Sequence, residues 1–488
     1  MNSSIIRYIL GQVIKIEGAL MLLPCLVGCV YGEHSWLYFA GTSAICILLG
    51  VLMTYRKPKS NVFYLKEGCV ITAFSWMLLS ILGALPMWLC GEIPTYIDAL
   101  FETVSGFTTT GASILPAVEP LSKCVNTWRC FTHWIGGMGV LVFILAIVPM
   151  SGGSSMNLMK AESPGPSVSK LVPKVKSTAM ILYAIYIALT LFEWILLMIG
   201  GVPFLDALNT SFGTAGTGGF GIKNDSLMSF SPYVQWVVIV FMILFGVNFN
   251  AYYCLVFRMF KKAFTMEEVR YYFIIILTAV FIICCDIRDY YETFGETLRH
   301  SFFQVGSIIT TTGFSSADFN TWPMTSKTIL VLLMFIGACA GSTGGGIKVS
   351  RIAIAFKTLL KELNSYIHPK SVKKIQFEKK PVEHDVLRAL NVYLISFFLV
   401  FASSIVLISF ENYDLETNFT AVAATINNIG PGLNMVGPTQ NFSFFSTFSK
   451  LVLIFDMLAG RLELFPMLIL FHPTIWKQLF HESKKQVS

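Results

Sequence analysis

Thr310-Thr311-Thr312-Gly313-Phe314-Ser315 decides the fold, because the chain writes the same unusual object four times. Its relatives are Thr108-Thr109-Thr110-Gly111-Ala112-Ser113, Thr217-Gly218-Gly219-Phe220-Gly221 and Asn427-Asn428-Ile429-Gly430-Pro431-Gly432. Each follows a short apolar segment of helical character, at 98–107, 206–213, 298–309 and 416–425. Asp98 and Asp206 stand at equal distance before Gly111 and Gly219, each followed by Ala-Leu, so the register is shared.

Inside a bilayer, glycine-rich non-helical backbone is tolerated only where it is buried in protein or lines a water-filled cavity. Any one of these loops also reads as an ordinary packing turn or helix break. Four in the same context point to one lined pathway. Glycine reaches backbone angles that turn successive carbonyls toward an axis, and small side chains leave room for a dehydrated cation. The half-helices before the loops would aim their negative C-terminal ends at that cation.

Composition sets the class. The chain has 488 residues, of which 55% are hydrophobic and 13% charged, with a mean hydropathy of +0.67. Soluble domains carry roughly a quarter charged residues, so this is a polytopic membrane protein of all-α class. The net charge of +7 lies between apolar spans, where it reports topology and gives no sign of nucleic acid.

The first span, about 5–30, contains Arg7, Lys15 and Glu17 and no small-residue cleavage site, which fits a retained helix better than a signal peptide. The second, 36–55, ends at Arg56-Lys57-Pro58-Lys59, a corner expected in the cytoplasm. These two helices form residues 1–60. Four repeats of span, half-span, loop and span follow, at 61–176, 177–268, 269–380 and 381–488. In the first, 69–90 is long enough to cross about 30 Å of hydrocarbon, whereas 94–107 reaches about two-thirds of that and must re-enter. The returning spans are expected at 128–150, 233–257, 329–356 and 448–471. Basic residues after them, including Lys160, Lys170, Lys174 and Lys176, and then Arg258, Lys261, Lys262 and Arg270, place both termini in the cytoplasm. His133 reads as a packed residue, since no second metal ligand lies near it.

Gly216-Thr217-Gly218-Gly219-Phe220-Gly221 matches the dinucleotide-binding pattern letter for letter. That pattern has force only after a strand and before a helix, and no such unit is present here. The third returning span is interrupted by Gly337-Ala338-Cys339-Ala340-Gly341-Ser342-Thr343-Gly344-Gly345-Gly346, too glycine-rich for a helix interior at about 1 kcal/mol per glycine. It reads either as a flexible plug below the loops or as a close helix crossing. The basic stretch 348–388, with Lys370, Lys373, Lys374, Lys379 and Lys380, is a solvated loop or a dock for an acidic partner or anionic lipid. Arg461 is expensive at membrane depth. It either pairs with Asp456 or Glu463 or sets a positive charge beneath the loops.

The eleven cysteines include no CxxC pair, which argues against a zinc site and a disulfide scaffold, though one bridge among Cys90, Cys124 and Cys130 stays open. No nucleophile and base recur at a spacing that suggests an enzyme.

With these features in place, the whole chain resembles the Trk/Ktr/HKT superfamily of cation transporters, and the bacterial Trk-type branch most. The marks are Ser105 to Ala112, Gly218-Gly219-Phe220, Thr310 to Phe314, Asn427 to Gly432, the glycine-rich break, Arg461 and the two leading spans. The resemblance implies a multi-pass protein of the inner membrane that takes up potassium through a channel-like pore. It implies that Thr109, Thr110, Gly111, Gly218, Gly219, Thr311, Thr312, Gly313, Ile429 and Gly430 line the ion sites, chiefly through carbonyls. The gate would comprise Gly341, Ser342, Thr343, Gly344, Gly345, Gly346 and Arg461. In this superfamily, serine at the first filter glycine goes with sodium preference, so four intact glycines favour potassium, with rubidium as surrogate. The resemblance further implies a homodimer set in lipid and a separate TrkA-like (RCK/KTN) regulatory ring in the cytoplasm, which alone carries nucleotide; no covalent cofactor is expected. A sodium- or proton-coupled symport is the alternative, with Glu193, Asp286 or Asp456 as coupling groups.

Overall fold

In a computed structural model, residues 1–58, 63–139, 175–369 and 374–478 are described. The parts of the expected topology that rest on 140–150, Lys59, Lys160, Lys170, Lys174, Lys370 and Lys373 lie outside them. Among the described residues, six helical stretches are long and apolar enough to cross a membrane: Ser3–Tyr31, Trp36–Thr54, Leu65–Leu89, Ala179–Ile199, Glu267–Asp286 and His384–Ser409. Ser3–Leu20 and Trp36–Thr54 pack through glycines: a Cβ on Gly11 would lie 2.9 Å from Thr54 Cγ2, and one on Gly18 would lie 2.9 Å from the Ser43 carbonyl oxygen. Small residues at such a crossing let helix backbones approach where lipid supplies no hydrophobic drive.

The outer helices of the four repeats are Leu65–Leu89, Val175–Ile199, Glu267–Asp286 and His384–Ser409. The first is 61% buried in its most apolar window against 22% and 28% for the second and fourth, because the two leading helices cover it. The pore helices are Tyr96–Phe107, Phe204–Ala215, Phe294–Ile309 and Leu415–Ile426. Thr95, Thr293 and Asp414 accept a backbone N–H at the first turn of theirs, whereas Pro203 starts the second. The polar residues Thr108 to Thr110, Thr310 to Thr312, Asn427 and Asn428 are completely buried, so the middle of this protein is lined by polar backbone and small side chains.

Two of the inner helices, the second and the fourth, break where the sequence predicts continuity, while the third is interrupted where expected. Lys123–Gly137 ends two residues before the described segment does. The continuous span expected at 233–257 is two helices, Pro232–Phe245 and Phe249–Val256, bent by 92°. The third is Met324–Ile336 and, after the glycine-rich segment, the amphipathic Val349–Ile367. The fourth stops at Arg461 and resumes as Phe465–Leu468. Glu463 and Leu464 between them have φ of 53° and 71°. The missed second break had a local signal: Gly246 followed by Asn248, whose side chain accepts from Asn250 N at 2.9 Å and so starts a new helix. The only β-structure among the described residues, a hairpin pairing Gln376 with Pro381 and Phe377 with Lys380, was not expected.

Candidate functional site

The four loops share one backbone solution. Each pore helix closes with an amide bonded five residues back: Thr110 N to Ser105 O at 2.9 Å, Gly218 N to Gly213 O at 2.9 Å, Thr312 N to Ser307 O at 2.8 Å and Ile429 N to Ala424 O at 2.8 Å. This is the Schellman closure of a helix end, which requires a left-handed residue just before the bonded amide. Those residues are Thr109, Thr217, Thr311 and Asn428, with φ between 53° and 59°. A β-branched threonine in that region is a true outlier and marks strain retained by its surroundings. Two residues on, Gly111, Gly219, Gly313 and Gly430 are left-handed again, at 77°, 79°, 84° and 100°. Alternating hand along the backbone turns successive carbonyls to one side.

The glycines then interlock in a ring. A Cβ on Gly111 would overlap the carbonyl oxygen of Gly218, one on Gly219 that of Thr312, and one on Gly313 that of Ile429. A Cβ on Gly430 would stand 2.8 Å from the carbonyl oxygen of Thr110. Each repeat thus offers the oxygen before its glycine to the glycine of the repeat before it, and the fourth returns to the first. Outside the ring, neighbouring repeats are also tied: Val118 N to Asn224 Oδ1 at 2.7 Å, Leu227 N to Ser315 O at 3.0 Å, Asn434 N to Asn320 Oδ1 at 2.9 Å and Phe442 N to Ser113 O at 2.8 Å. A cavity of about 120 Å³ opens on the ring, lined in part by Gly111, Gly219, Gly313 and Gly430.

Charges inside the bundle hold this frame. Glu102, on the first pore helix, takes Arg129 Nε at 2.8 Å and Nη2 at 2.6 Å, together with Ser113 Oγ at 3.0 Å and Ile114 N at 3.1 Å. Arg129 also donates to Asn126 Oδ1 at 2.9 Å and lies 4.3 Å from the Phe220 ring centroid. Both ions are buried and each of their charged nitrogens and oxygens has a hydrogen-bond partner, the condition under which such a pair is tolerated. His133 Nε2 accepts from Phe220 N at 3.1 Å, so its Nδ1 carries the proton and donates to Gly106 O at 2.7 Å. It is a packed bridge between the first pore helix and the second loop. The Glu102–Arg129 pair was missed in the sequence, although a charge within each of two apolar segments is itself a signal.

Beneath the ring lies the glycine-rich segment. Gly345 N donates to Thr311 Oγ1 at 2.6 Å, Gly346 N to Asn427 O at 3.0 Å and Thr343 Oγ1 to Phe245 O at 3.2 Å. Cys339 N bonds Gly246 O at 3.1 Å and Phe249 N bonds Gly341 O at 3.0 Å, so the segment occupies the break in the second inner helix. Arg461 donates to Thr343 O at 2.9 Å, to Gly137 O at 3.0 Å and to Gly136 O. The pairings expected for it are taken elsewhere: Glu463 binds Arg351, and Asp456 Oδ1 accepts from Ser404 Oγ at 2.7 Å. Lys348, expected at the start of the solvated basic stretch, instead turns back and donates to Gly344 O.

Of the groups considered for coupling, Asp286 accepts from Ser326 N at 3.1 Å and Ser326 Oγ at 2.6 Å and so caps the third inner helix. Glu193 and Asp456 are fully buried. All eleven cysteines are free, which removes the bridge left open among Cys90, Cys124 and Cys130.

Known proteins share both sequence and fold with this chain. The TrkH family model, described as a cation transport protein, matches residues 37–287 and 291–478. The Trk system potassium uptake protein TrkH of Salmonella typhimurium is 35% identical, over 98% of this chain and 100% of that one. Its Escherichia coli counterpart is 34% identical over the same shares. The crystal structure of the potassium transporter TrkH from Vibrio parahaemolyticus superposes with a TM-score of 0.87 at 30% identity, covering 98% of this chain and 100% of that one.

Proposed function

Because the chain belongs to the TrkH family of cation transport proteins, we propose that it carries potassium into the cell through a pore whose selectivity filter is the ring of four glycine loops. It is a multi-pass protein of the inner membrane, and its family groups it with transporters, not enzymes. The observation that supports the filter reading most is the cyclic approach of each glycine to the next repeat's carbonyl. Thr109, Thr110, Gly111, Gly218, Gly219, Thr311, Thr312, Gly313, Ile429 and Gly430 contribute carbonyl oxygens that replace the hydration shell of the ion. The pore helices, ending at Phe107, Ala215, Ile309 and Ile426, add the negative ends of their dipoles. The potassium ion is cargo. Pro431 makes the fourth loop depart from the others, so the filter is only pseudo-fourfold.

The segment from Gly341 to Gly346 acts as the gate. Its amides engage Thr311 and Asn427 directly under the ring, and Arg461 fastens it to Gly136 and Gly137 while placing positive charge on the ion's route. A homodimer, cytoplasmic termini and a TrkA-like nucleotide-binding ring complete the reading; the relatives' name, Trk system potassium uptake protein, bears on the potassium cargo.

The test is rubidium uptake into proteoliposomes of the purified chain, with sodium as competitor. Uptake that sodium does not suppress at equal concentration supports a potassium filter; no uptake of any monovalent cation overturns it. Currents whose reversal potential follows the potassium gradient alone separate a channel from a coupled symport.

A further inference from the structure

Glu268, the second residue of the third outer helix, is buried and accepts three hydrogen bonds. Its Oε1 takes Ala340 N at 2.7 Å and Ser350 N at 3.2 Å; its Oε2 takes Asn248 Nδ2 at 3.0 Å. Ala340 and Ser350 stand on opposite sides of the Gly341–Gly346 run. One carboxylate therefore clasps both ends of the segment beneath the ring. Asn248 adds the break in the second inner helix to the same clasp. Removing the carboxylate would leave buried N–H groups without a partner, an outcome folded proteins avoid.

The preceding residue faces a different element. Glu267 Oε2 accepts from Glu378 N at 3.1 Å, and the Glu378 carboxylate accepts in return from Glu267 N at 2.7 Å and Glu268 N at 3.1 Å, capping the helix. Lys357, on the helix that follows the glycine-rich segment, pairs with Glu267 and donates to Gln376 O at 2.9 Å. Glu378 and Lys379 form the tip of the hairpin, with φ of 51° and 61° and no glycine. Such a turn is disfavoured by itself, so docking on the helix start keeps it in shape. Helix start, hairpin and both ends of the segment thus meet at two consecutive glutamates.

We infer that Glu268 is the positioning residue that keeps the glycine-rich segment closed beneath the filter. The 376–381 hairpin, acting through Glu378, is the point from which that grip is released. This rests on reading the segment as the gate, and the experiment separates the two.

Rubidium influx with sodium competition is measured for purified full chains in proteoliposomes: the unaltered protein, a variant lacking Gly344 and Gly345, Glu268→Ala, Glu268→Gln and Glu378→Ala. The deletion raises influx if the segment is a gate. Glu268→Ala is expected to raise influx about ten-fold, as two buried amides lose their acceptor, while Glu268→Gln, which retains an acceptor oxygen, stays within about two-fold. Glu378→Ala falls between them, and sodium competition is unchanged throughout. If Glu268→Ala does not fold, Glu268→Asp serves: one methylene shorter, it reaches one end of the segment and raises influx in the same direction. High influx from the deletion with unaltered influx from Glu268→Ala or Glu268→Asp overturns this inference alone. Unaltered influx from the deletion overturns the gate reading as well. Unaltered influx from Glu378→Ala overturns the role of the hairpin, and loss of sodium discrimination in the Glu268 variants shows a deformed filter and overturns the positioning role.

Discussion

Gly430→Ala tests the ring where it closes on itself. Gly430 has φ of 100°, and a Cβ there would lie 2.8 Å from the Thr110 carbonyl oxygen and 3.0 Å from the Gly111 carbonyl carbon. An unstrained carbon-to-oxygen contact is about 3.3 Å, so the Thr110 oxygen has to yield by roughly half an ångström. Since an interaction with a full charge is worth about 1.5–3 kcal/mol, impairing one oxygen of the ring forfeits on the order of 1.4 kcal/mol of preference, about a factor of ten. We expect the sodium concentration that halves rubidium uptake to fall about tenfold in proteoliposomes. Gly221→Ala is the control, because a Cβ there meets nothing closer than 3.6 Å. Unchanged sodium competition in Gly430→Ala, with the protein folded and uptake intact, would refute the claim that these carbonyls bind the ion.

Gly313→Ser should be more damaging, since its Cβ overlaps the Ile429 oxygen outright; loss of rubidium over sodium discrimination by more than about tenfold is expected in the same assay. Arg461→Ala removes the bonds to Thr343, Gly136 and Gly137, and should raise rubidium influx severalfold with selectivity unchanged; unchanged influx at normal protein levels would defeat the gate. Arg129→Ala strands the buried Glu102 carboxylate and should cost about 3–5 kcal/mol, read as a lower unfolding temperature in detergent, whereas Arg288→Ala, away from this pair, should not. At Glu411, burial raises the carboxyl, but hydrogen bonds from Ser446 and Ser449 and the charge of Lys450 outweigh it and hold the group below its ordinary value. Its contribution is therefore present above the unfolded carboxylate value of about 4.3 and lost as pH falls through the folded one. Glu411→Gln should flatten the acid limb of unfolding temperature against pH.

The sequence by itself determined the class of this protein and the existence of four equivalent loops. An apolar excess with most charges between spans admits only a polytopic helical bundle, and glycine-rich breaks recurring in one register cannot all be accidents of packing. It also located the interruption at Gly337 to Gly346, because so many glycines cannot propagate a helix. Other features depended on partners far away in the chain. Three threonines held left-handed defy local preference, and only a Schellman closure packed on all sides retains them. The order of the ring came from carbonyls of one repeat filling the space that a Cβ would take in the next. The choice of Arg461 for backbone oxygens over Asp456 or Glu463 has the same origin: the nearest acids had already found other donors, Arg351 and Ser404. Periodicity and composition count what a helix can bury, but which buried polar group meets which is settled only when distant segments are brought within hydrogen-bonding reach.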